Sequence, residues 1–248
     1  AGFPMPEGYP DFPSAKQMGD YYTLYTDTFG LRENIEFNAK VSKCLPKDDG
    51  AWEVEFSSGK KRIYKGVIVC NGHHWDKRFP EYEGEFTGEF IHSKDYKHPD
   101  ELRGKRVLVI GGGNSACDVV SEAARVAEEA HLSLRRGYWF LPKTLFGRPS
   151  AESPAVYLPV FMQRAILKTM LKIVVGKYED YGLPHPDHKL FEHHPTVSSE
   201  ILHYLKHGRI KPHKDIDKLE GKTVRFVDGE SIEVDKIVCA TGFHVSFP

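Results

Sequence analysis

The chain has 248 residues, 40% of them apolar and 28% charged, and its formal net charge at pH 7 is −1. This length is enough for one large domain or two modest ones, and because the charges nearly cancel, no broad field indicates a nucleic-acid or anionic-membrane partner. The four cysteines lie far apart without a C-x-x-C pair, which argues against a disulfide framework or a zinc site and favours the reducing cytoplasm.

The first elements in chain order form an α/β segment. A Pro- and Gly-rich start without a secretory signal leads to a predicted helix at Ser14–Phe29 and a predicted strand at Ile35–Lys43. The sequence WEVEFSSGKKRIYKG predicts a hairpin that turns at Ser58-Gly59 and leads into an apolar strand, VIVCNG, at 67–72. Because neither end reads as a natural terminus, we expect an internal stretch of a longer protein.

The same pattern recurs near the other end of the sequence. TVRFVDGESIEVDK predicts a hairpin that turns at Asp228-Gly229, and it leads into KIVCATG at 236–242. The repetition indicates either two related nucleotide-binding domains or a coincidence between two ordinary hairpins. In the first case ligands would bind beyond the carboxyl ends of the two closing strands, at Asn71-Gly72 and at Thr241-Gly242.

A glycine motif lies between these two segments. Arg106–Ile110 (RVLVI) has the continuous apolar character of a strand in a parallel sheet. It leads into a helical pattern through Gly111, Gly112, Gly113, Asn114, Ser115 and Ala116. A strand, G-x-G-x-x-A and a helix in this order predict a dinucleotide-binding turn. Gly111 permits the tight turn, Gly113 lets the backbone approach a pyrophosphate, and Ala116 lets the helix pack on the strand.

The next predicted strand indicates which dinucleotide binds. An NAD-binding domain places Asp or Glu at the end of this strand to hold the ribose hydroxyls. HLSLRRG at 131–137 places Arg135 and Arg136 there instead, and guanidinium groups suit a 2′-phosphate. The alternative is a pair of solvated surface arginines. The pattern favours NADPH over NADH.

The stretch of about 151–200 predicts a helical insertion. Residues 158–176 have apolar pairs at helical spacing, with Arg164, Lys168 and Lys172 on the other side. Three cations would be costly in a membrane-spanning helix, so we predict an amphipathic helix packed on protein; docking on a membrane surface or a partner is the alternative.

Other groupings of polar residues predict no further site. Of the 13 histidines, only His203 and His207 have the i, i+4 spacing of a helical metal pair, and neither H-E-x-x-H nor a nearby cysteine supports it. Asp118 and Glu122 are expected on a solvated helix face. We predict no metal site.

The segment FTGEFIHSKDYK, residues 86–97, carries a family resemblance. It matches F-x-G-x-x-x-H-x-x-x-Y-K through Phe86, Gly88, His92, Tyr96 and Lys97. This pattern resembles the fingerprint of the flavin-containing monooxygenases, which in that family precedes the NADPH-binding glycine motif. The Baeyer–Villiger group usually carries Trp at the position of Tyr96, and Pro or Asp at the next. The resemblance covers essentially the whole chain.

The resemblance implies an α/β fold of the two-dinucleotide flavoprotein type. We expect a partial FAD-binding domain at 1–78, a linker with the fingerprint at 79–102, a Rossmann-like NADP-binding domain with a parallel sheet at 103–242, and the start of the return to the FAD domain at 243–248. The family's FAD fingerprint has no counterpart in this sequence.

The resemblance also implies cofactors and chemistry. NADPH and FAD would serve an enzyme that inserts one oxygen atom of O2 into an amine nitrogen or a sulfide sulfur of a small molecule, through a flavin hydroperoxide. The cofactor does most of this chemistry, so no catalytic side chain is assigned. Another two-dinucleotide flavoprotein and a non-catalytic NADP(H)-binding fragment remain alternatives, and a homo-oligomer is left open.

By position, the resemblance assigns roles to individual residues. The glycine motif would hold the NADP+ pyrophosphate, and Arg135 and Arg136 would hold the 2′-phosphate. Val41 would contact the FAD adenine through its backbone, and Asn71-Gly72 would lie near the FAD phosphates. The fingerprint residues would form a hinge between domains, with His92 as a structural hydrogen-bonding group.

Overall fold

The computed structural model describes residues 2–145, 147–152 and 157–247. The chain forms two compact units, a smaller one that runs to Gly72 and includes Ser246, and a larger one at His73–Val245. The boundary therefore lies a few residues before the predicted limit of 78. Residues 153–156 of the predicted insertion lie outside the described residues, as do residues 1, 146 and 248.

The smaller unit begins with helix α1, Ala15–Thr28, which confirms the helix predicted there. A capping box fixes its start, since Ser14 Oγ accepts a hydrogen bond from the Gln17 amide at 3.2 Å while the Gln17 side chain accepts one from the Ser14 amide at 2.8 Å. Gly30, with φ of 60°, follows the end of the helix.

A three-stranded antiparallel sheet follows, made of β1 (Val41–Pro46), β2 (Trp52–Phe56) and β3 (Lys61–Tyr64). The predicted hairpin is confirmed as β2–β3. The predicted strand at 35–43 is wrong in its bounds, because Asn38 takes a left-handed φ of 59°, which interrupts extended backbone. The strand begins at Val41 instead.

The predicted strand at 67–72 is wrong. The stretch has no regular secondary structure, and Ile68 is 90% exposed. A strand is stable only when neighbouring strands pair with its backbone amides and carbonyls. Within the part of the chain that the structure describes, this stretch pairs with no strand.

Among its described residues, the larger unit contains a series of mostly short strands with three α-helices between them. The helices are α2 (Asn114–Val126), α3 (Val160–Val174) and α4 (Ile201–Lys206). In chain order the strands are β4 (Asp76–Lys77), β5 (Glu83–Phe86), β6 (Glu89–His92), β7 (Arg106–Ile110), β8 (Glu129–Ser133), β9 (Phe140–Leu141), β10 (Thr144–Leu145), β11 (Arg148–Pro149), β12 (Thr196–Val197), β13 (Ile210–His213), β14 (Ile216–Gly221), β15 (Thr223–Phe226), β16 (Ser231–Glu233), β17 (Lys236–Cys239) and β18 (Phe243–His244).

A five-stranded parallel sheet in the order β13-β8-β7-β17-β6 forms the centre of this unit, which confirms the predicted parallel sheet. Val107 and Val109 on one face pack with helix α2, and Leu108 on the other face packs with the sheet β16-β15-β14-β5. Because both faces are covered, β7 and β17 are apolar after their first residues, Arg106 and Lys236. The second predicted hairpin is confirmed as β15–β16.

The predicted linker at 79–102 lies within the larger unit. Strand β5 pairs in parallel with β14, and β6 forms the edge of the central sheet beside β17. The fingerprint segment, residues 86–97, is therefore joined to the four-stranded and the five-stranded sheet of this unit by backbone hydrogen bonds.

Helix α3 confirms the predicted helix but not its packing. Leu171 is buried, whereas Phe161 and Ile173 are 71% and 78% exposed. Arg164 Nε donates a hydrogen bond to the Leu190 carbonyl at 2.7 Å, on the side of the helix that packs on protein. The prediction that the cations face away from the protein is wrong for Arg164, because its long side chain reaches an acceptor there.

Among the described residues, no helix combines the length and apolarity that a membrane crossing requires.

Candidate dinucleotide-binding site

The glycine turn lies at the carboxyl end of the middle strand of the parallel sheet. Gly111 follows β7 directly, and Gly113 is the N-cap residue of α2. From β7 the chain passes through α2 to β8 on one side, while β17 and β6 lie on the other side. Crevices at such a reversal of strand order are where open α/β sheets bind ligands.

The surroundings of Gly111 and Gly113 differ. Gly111 has a φ of +123°, and a Cβ there would lie 2.5 Å from the Ala240 carbonyl oxygen, so this position excludes any side chain. At Gly113 a Cβ would meet nothing within 4 Å. Gly113 therefore borders open space at the N-terminus of α2, where backbone N–H groups and the helix dipole favour an anion.

Gly112 and Asn114 have partners within the protein. The Tyr138 ring packs against Gly112, where a Cβ would lie 2.3 Å from ring carbons. Thr196 Oγ1 donates a hydrogen bond to the Gly112 carbonyl at 2.6 Å, and the Asn114 side-chain oxygen accepts one from the Val197 amide at 2.8 Å. The turn is thus held by β12 and by one aromatic ring. The predicted pyrophosphate role of these two residues stays a prediction.

Ser115 and Ala116 are neighbours in the first turn of α2 that differ in burial. Ser115 is exposed, whereas Ala116 is fully buried in the core between the helix and the sheet. A larger residue at 116 would push the helix away from β7. The small size that the motif predicts at this position therefore has a packing reason.

The predicted arginine pair follows β8, the neighbour of β7. Arg135 is exposed, and Arg136 is half-buried with its Cζ 5.4 Å from the centroid of the Tyr138 ring. The structure thus links Arg136 to the glycine turn through Tyr138, a residue that the sequence analysis missed. The aromatic residue two positions after the arginine pair was the available signal.

Thr241 and Gly242 follow the buried strand β17. Gly242 has a φ of +85°. Arg78 Nη2 donates a hydrogen bond to the Thr241 carbonyl at 2.6 Å, and Thr241 Oγ1 donates one to the Arg78 carbonyl at 2.5 Å. Arg78 was also missed by the sequence analysis, since nothing in its local pattern distinguishes it from a surface cation.

His92 ends strand β6 and is completely buried. The Lys94 amide donates a hydrogen bond to its Nδ1 at 3.1 Å, and its Nε2 lies 3.0 Å from the Gly242 carbonyl oxygen. The ring therefore carries its proton on Nε2 and is neutral. Burial lowers the pKa of His92. Both ring nitrogens thus take part in hydrogen bonds with the backbone, and the expected structural role stays a prediction.

The other fingerprint residues also make local contacts. A Cβ at Gly88 would lie 2.6 Å from both the Asp235 carbonyl oxygen and the Phe86 ring, so only glycine fits there. Tyr96 donates a hydrogen bond to the Glu122 carboxylate on α2, and burial, reinforced by Glu122, raises the pKa of Tyr96.

Lys97 completes the segment. Its Nζ donates a hydrogen bond to the Lys94 carbonyl at 2.5 Å, and its amide donates one to the Glu101 carboxylate at 3.0 Å. These contacts fix the fingerprint segment on the larger unit; the predicted hinge role stays a prediction.

The residues predicted to contact FAD lie in the smaller unit. Val41 is the first residue of β1, and Gly72 has a φ of +67° in the irregular stretch. Asn71 Nδ2 donates a hydrogen bond to the Ser246 carbonyl at 3.2 Å. Their roles at a flavin nucleotide stay predictions.

No arrangement for a metal ion is found in residues 2–145, 147–152 and 157–247, where no three His, Cys, Asp or Glu side chains are suitably grouped. The His203 and His207 rings lie 4.1 Å apart, and His207 Nδ1 lies 2.9 Å from the His203 carbonyl oxygen.

Glu122, which was expected to be solvated, instead accepts the hydrogen bond from the Tyr96 hydroxyl.

Comparison with known proteins places this geometry in a family. The family model for flavin-binding monooxygenase-like proteins matches residues 1–248. The chain belongs to this family. The predicted resemblance is thereby confirmed.

Curated flavin-containing monooxygenases are among the similar sequences. Flavin-containing monooxygenase 5 of Oryctolagus cuniculus is 30% identical over 265 residues, which cover 99% of this chain and 50% of that protein. Dimethylaniline monooxygenase (N-oxide-forming) 2 of Rattus norvegicus is 33% identical over 271 residues, which again cover 99% of this chain and 50% of that protein. The chain thus spans about half the length of the curated relatives it matches.

Solved flavin monooxygenases share the fold. A flavin-containing monooxygenase from Stenotrophomonas maltophilia has a TM-score of 0.72 at 19% identity and covers 99% of this chain and 62% of its own. The open crystal structure of cyclohexanone monooxygenase has a TM-score of 0.70 at 20% identity, and the match covers 94% of this chain and 59% of that protein. These likenesses confirm the predicted α/β fold class of two-dinucleotide flavoproteins.

Proposed function

We propose that the whole protein is an NADPH- and FAD-dependent monooxygenase that transfers one oxygen atom from O2 to an amine nitrogen or sulfide sulfur of a small molecule. The chain belongs to the flavin-binding monooxygenase-like family, and one observation of its structure carries the proposal. It is the open space at Gly113, bounded by the N-terminus of α2 at the carboxyl end of β7, with two arginines beyond the neighbouring strand.

The NADPH part of the proposal rests on residues of the larger unit. The pyrophosphate would approach the amides at the start of α2, where Gly113 leaves room. The 2′-phosphate would bind Arg135 and Arg136, which follow the adjacent strand. Gly111 keeps the turn close to the sheet, since a side chain there would meet Ala240.

The FAD part rests on the family. The relatives are named flavin-containing monooxygenases, and a bound flavin would accept hydride from NADPH and react with O2. In this chain Val41 and Asn71-Gly72 would contact the adenine and phosphates. All four cysteines are free thiols, which supports the further proposal of a reducing, cytoplasmic location.

An isotope experiment on the whole protein tests the reaction. The protein, loaded with FAD, is given NADPH, 18O2 and either a tertiary amine or a dialkyl sulfide, and the products are analysed by mass spectrometry. We expect one 18O atom in an N-oxide or sulfoxide, formed only when NADPH is present. NADPH oxidation that leaves both substrates unlabelled would contradict the proposal.

A second experiment tests the nucleotide preference. Replacement of Arg135 and Arg136 by alanine should weaken NADPH binding by about 1–3 kcal/mol, because charge-assisted hydrogen bonds are lost, while NADH binding changes little. Calorimetric titrations of both cofactors measure this difference. An equal loss for the two cofactors would mean that the 2′-phosphate is held elsewhere.

A further inference from the structure

We propose that Tyr138 is a positioning residue of the dinucleotide site. Its ring supports the glycine turn at Gly112 and orients the Arg136 guanidinium for the 2′-phosphate. The inference rests on the proposed NADPH site. Tyr138 lies outside the glycine motif and outside the arginine pair, and its ring connects these two parts of the site.

The first contact joins Tyr138 to the turn. Ring carbons Cδ2 and Cε2 of Tyr138 lie 2.3 Å from the position that a Cβ would occupy at Gly112. The Gly112 carbonyl is held by Thr196 Oγ1 at 2.6 Å. Gly112 is therefore fixed by the ring and by a hydrogen bond, and any side chain at this position would collide with the ring.

The second contact joins Tyr138 to Arg136. The Cζ atom of Arg136 lies 5.4 Å from the Tyr138 ring centroid, within the distance of about 6 Å at which a cation is attracted by an aromatic ring. The ring is itself supported from the core, since its centroid lies 6.4 Å from that of the buried Phe140 ring. The half-buried Tyr138 ring therefore lies between the Arg136 guanidinium and the core.

The two contacts have a combined consequence for binding. An arginine side chain is long and flexible, and it loses rotamer freedom when it binds a phosphate. A guanidinium that already rests on a ring has lost part of this freedom before the ligand arrives, which improves affinity by preorganisation. Because the same ring contacts Gly112, Tyr138 fixes the guanidinium relative to the turn where the pyrophosphate would bind.

The test compares two nucleotides that differ only in the phosphate at issue. Adenosine 2′,5′-bisphosphate carries the 2′-phosphate, and 5′-AMP lacks it. The dissociation constants of both for the 248-residue chain are measured by calorimetry for the wild type, Tyr138→Phe and Tyr138→Leu. The ratio of the two constants reports the 2′-phosphate preference, and it is independent of the fraction of folded protein in a sample.

We expect the wild type to prefer the bisphosphate and Tyr138→Phe to keep the preference within about twofold, since the ring remains. Tyr138→Leu keeps an apolar contact at Gly112 but removes the ring, so its preference should fall by about three- to fivefold, as expected for one exposed cation–π contact. In an Arg136→Ala background, Tyr138→Leu should leave the preference unchanged.

The failures are distinguishable. A wild type without any preference for the bisphosphate overturns the proposed NADPH site itself. A wild type with this preference, together with a Tyr138→Leu variant of unchanged preference, overturns only the positioning role. An equal loss caused by Tyr138→Leu with and without Arg136 also overturns it, because the ring then acts on the turn alone. Should Tyr138→Leu not fold, Tyr138→Met is measured in its place with the same expected ratios.

Discussion

Replacement of Gly113 by alanine should separate cofactor binding from folding. Gly113 has a φ of −83°, which suits any residue, and an added Cβ would meet nothing within 4 Å. The only expected cost to the fold is the poorer N-cap preference of alanine, so the free energy of unfolding should fall by less than about 1 kcal/mol. The substitution therefore leaves the protein folded while it fills the open space.

The expected effect on binding is larger. The methyl group would project into the space through which the pyrophosphate approaches the amides of α2. A hydrogen bond from an amide to a charged group contributes about 1.5–3 kcal/mol, and about 1.4 kcal/mol corresponds to a factor of ten. Loss of one such bond predicts NADP+ binding weaker by about 10- to 150-fold.

Gly111→Ala is the matched control in the same turn. Its φ of +123° is unfavourable for alanine, and its Cβ would lie 2.5 Å from the Ala240 carbonyl oxygen. Backbone strain alone costs about 1–3 kcal/mol, so this variant should lose stability. Urea unfolding gives the free energies of unfolding, and calorimetry gives the NADP+ dissociation constants. If Gly113→Ala bound NADP+ as tightly as the wild type, the reasoning about the open space would be refuted.

Three further predictions concern stability. Gly88→Ala should lower the unfolding free energy by more than about 1 kcal/mol, since its Cβ would overlap Asp235 and Phe86; unchanged urea midpoints would contradict this. Hydrogen bonds from Arg106 lower the pKa of Asp235, so Asp235→Asn should lower the free energy of unfolding at pH 7. The difference in unfolding free energy between wild type and variant should shrink as pH falls below about 4, and a difference that stays constant with pH would refute this prediction. Burial lowers the pKa values of His131 and His213, so the free energy of unfolding of the wild type should decrease as pH falls below about 6.5. Thermal melts from pH 7 to 5 should show a smaller decrease in stability for His213→Gln. An equal decrease in the wild type and the variant would contradict this prediction.

The centre of the fold could be predicted because its signals are local. A run of apolar residues at Arg106–Ile110, a glycine turn and an amphipathic helix follow one another directly, and each is required by the sheet that surrounds them. The hairpins at Ser58-Gly59 and Asp228-Gly229 were likewise predictable from their turn residues. These features need no knowledge of distant parts of the chain.

The errors concern features that depend on distant neighbours. The apolar stretch at 67–72 has strand composition, but composition cannot supply a pairing partner. Helix α3 has apolar residues on more than one side, so its spacing alone could not indicate that Leu171 would be buried and Ile173 exposed. The contact of Tyr138 with Gly112 joins residues 26 positions apart and is visible only in three dimensions.

A crystal structure of the chain with NADP+ is the most direct test of the central claim. We expect the pyrophosphate beside Gly113 at the N-terminus of α2, and the 2′-phosphate within hydrogen-bonding distance of Arg135 or Arg136. Density for the nucleotide at another edge of the sheet, or a 2′-phosphate directed away from both arginines, would contradict the account.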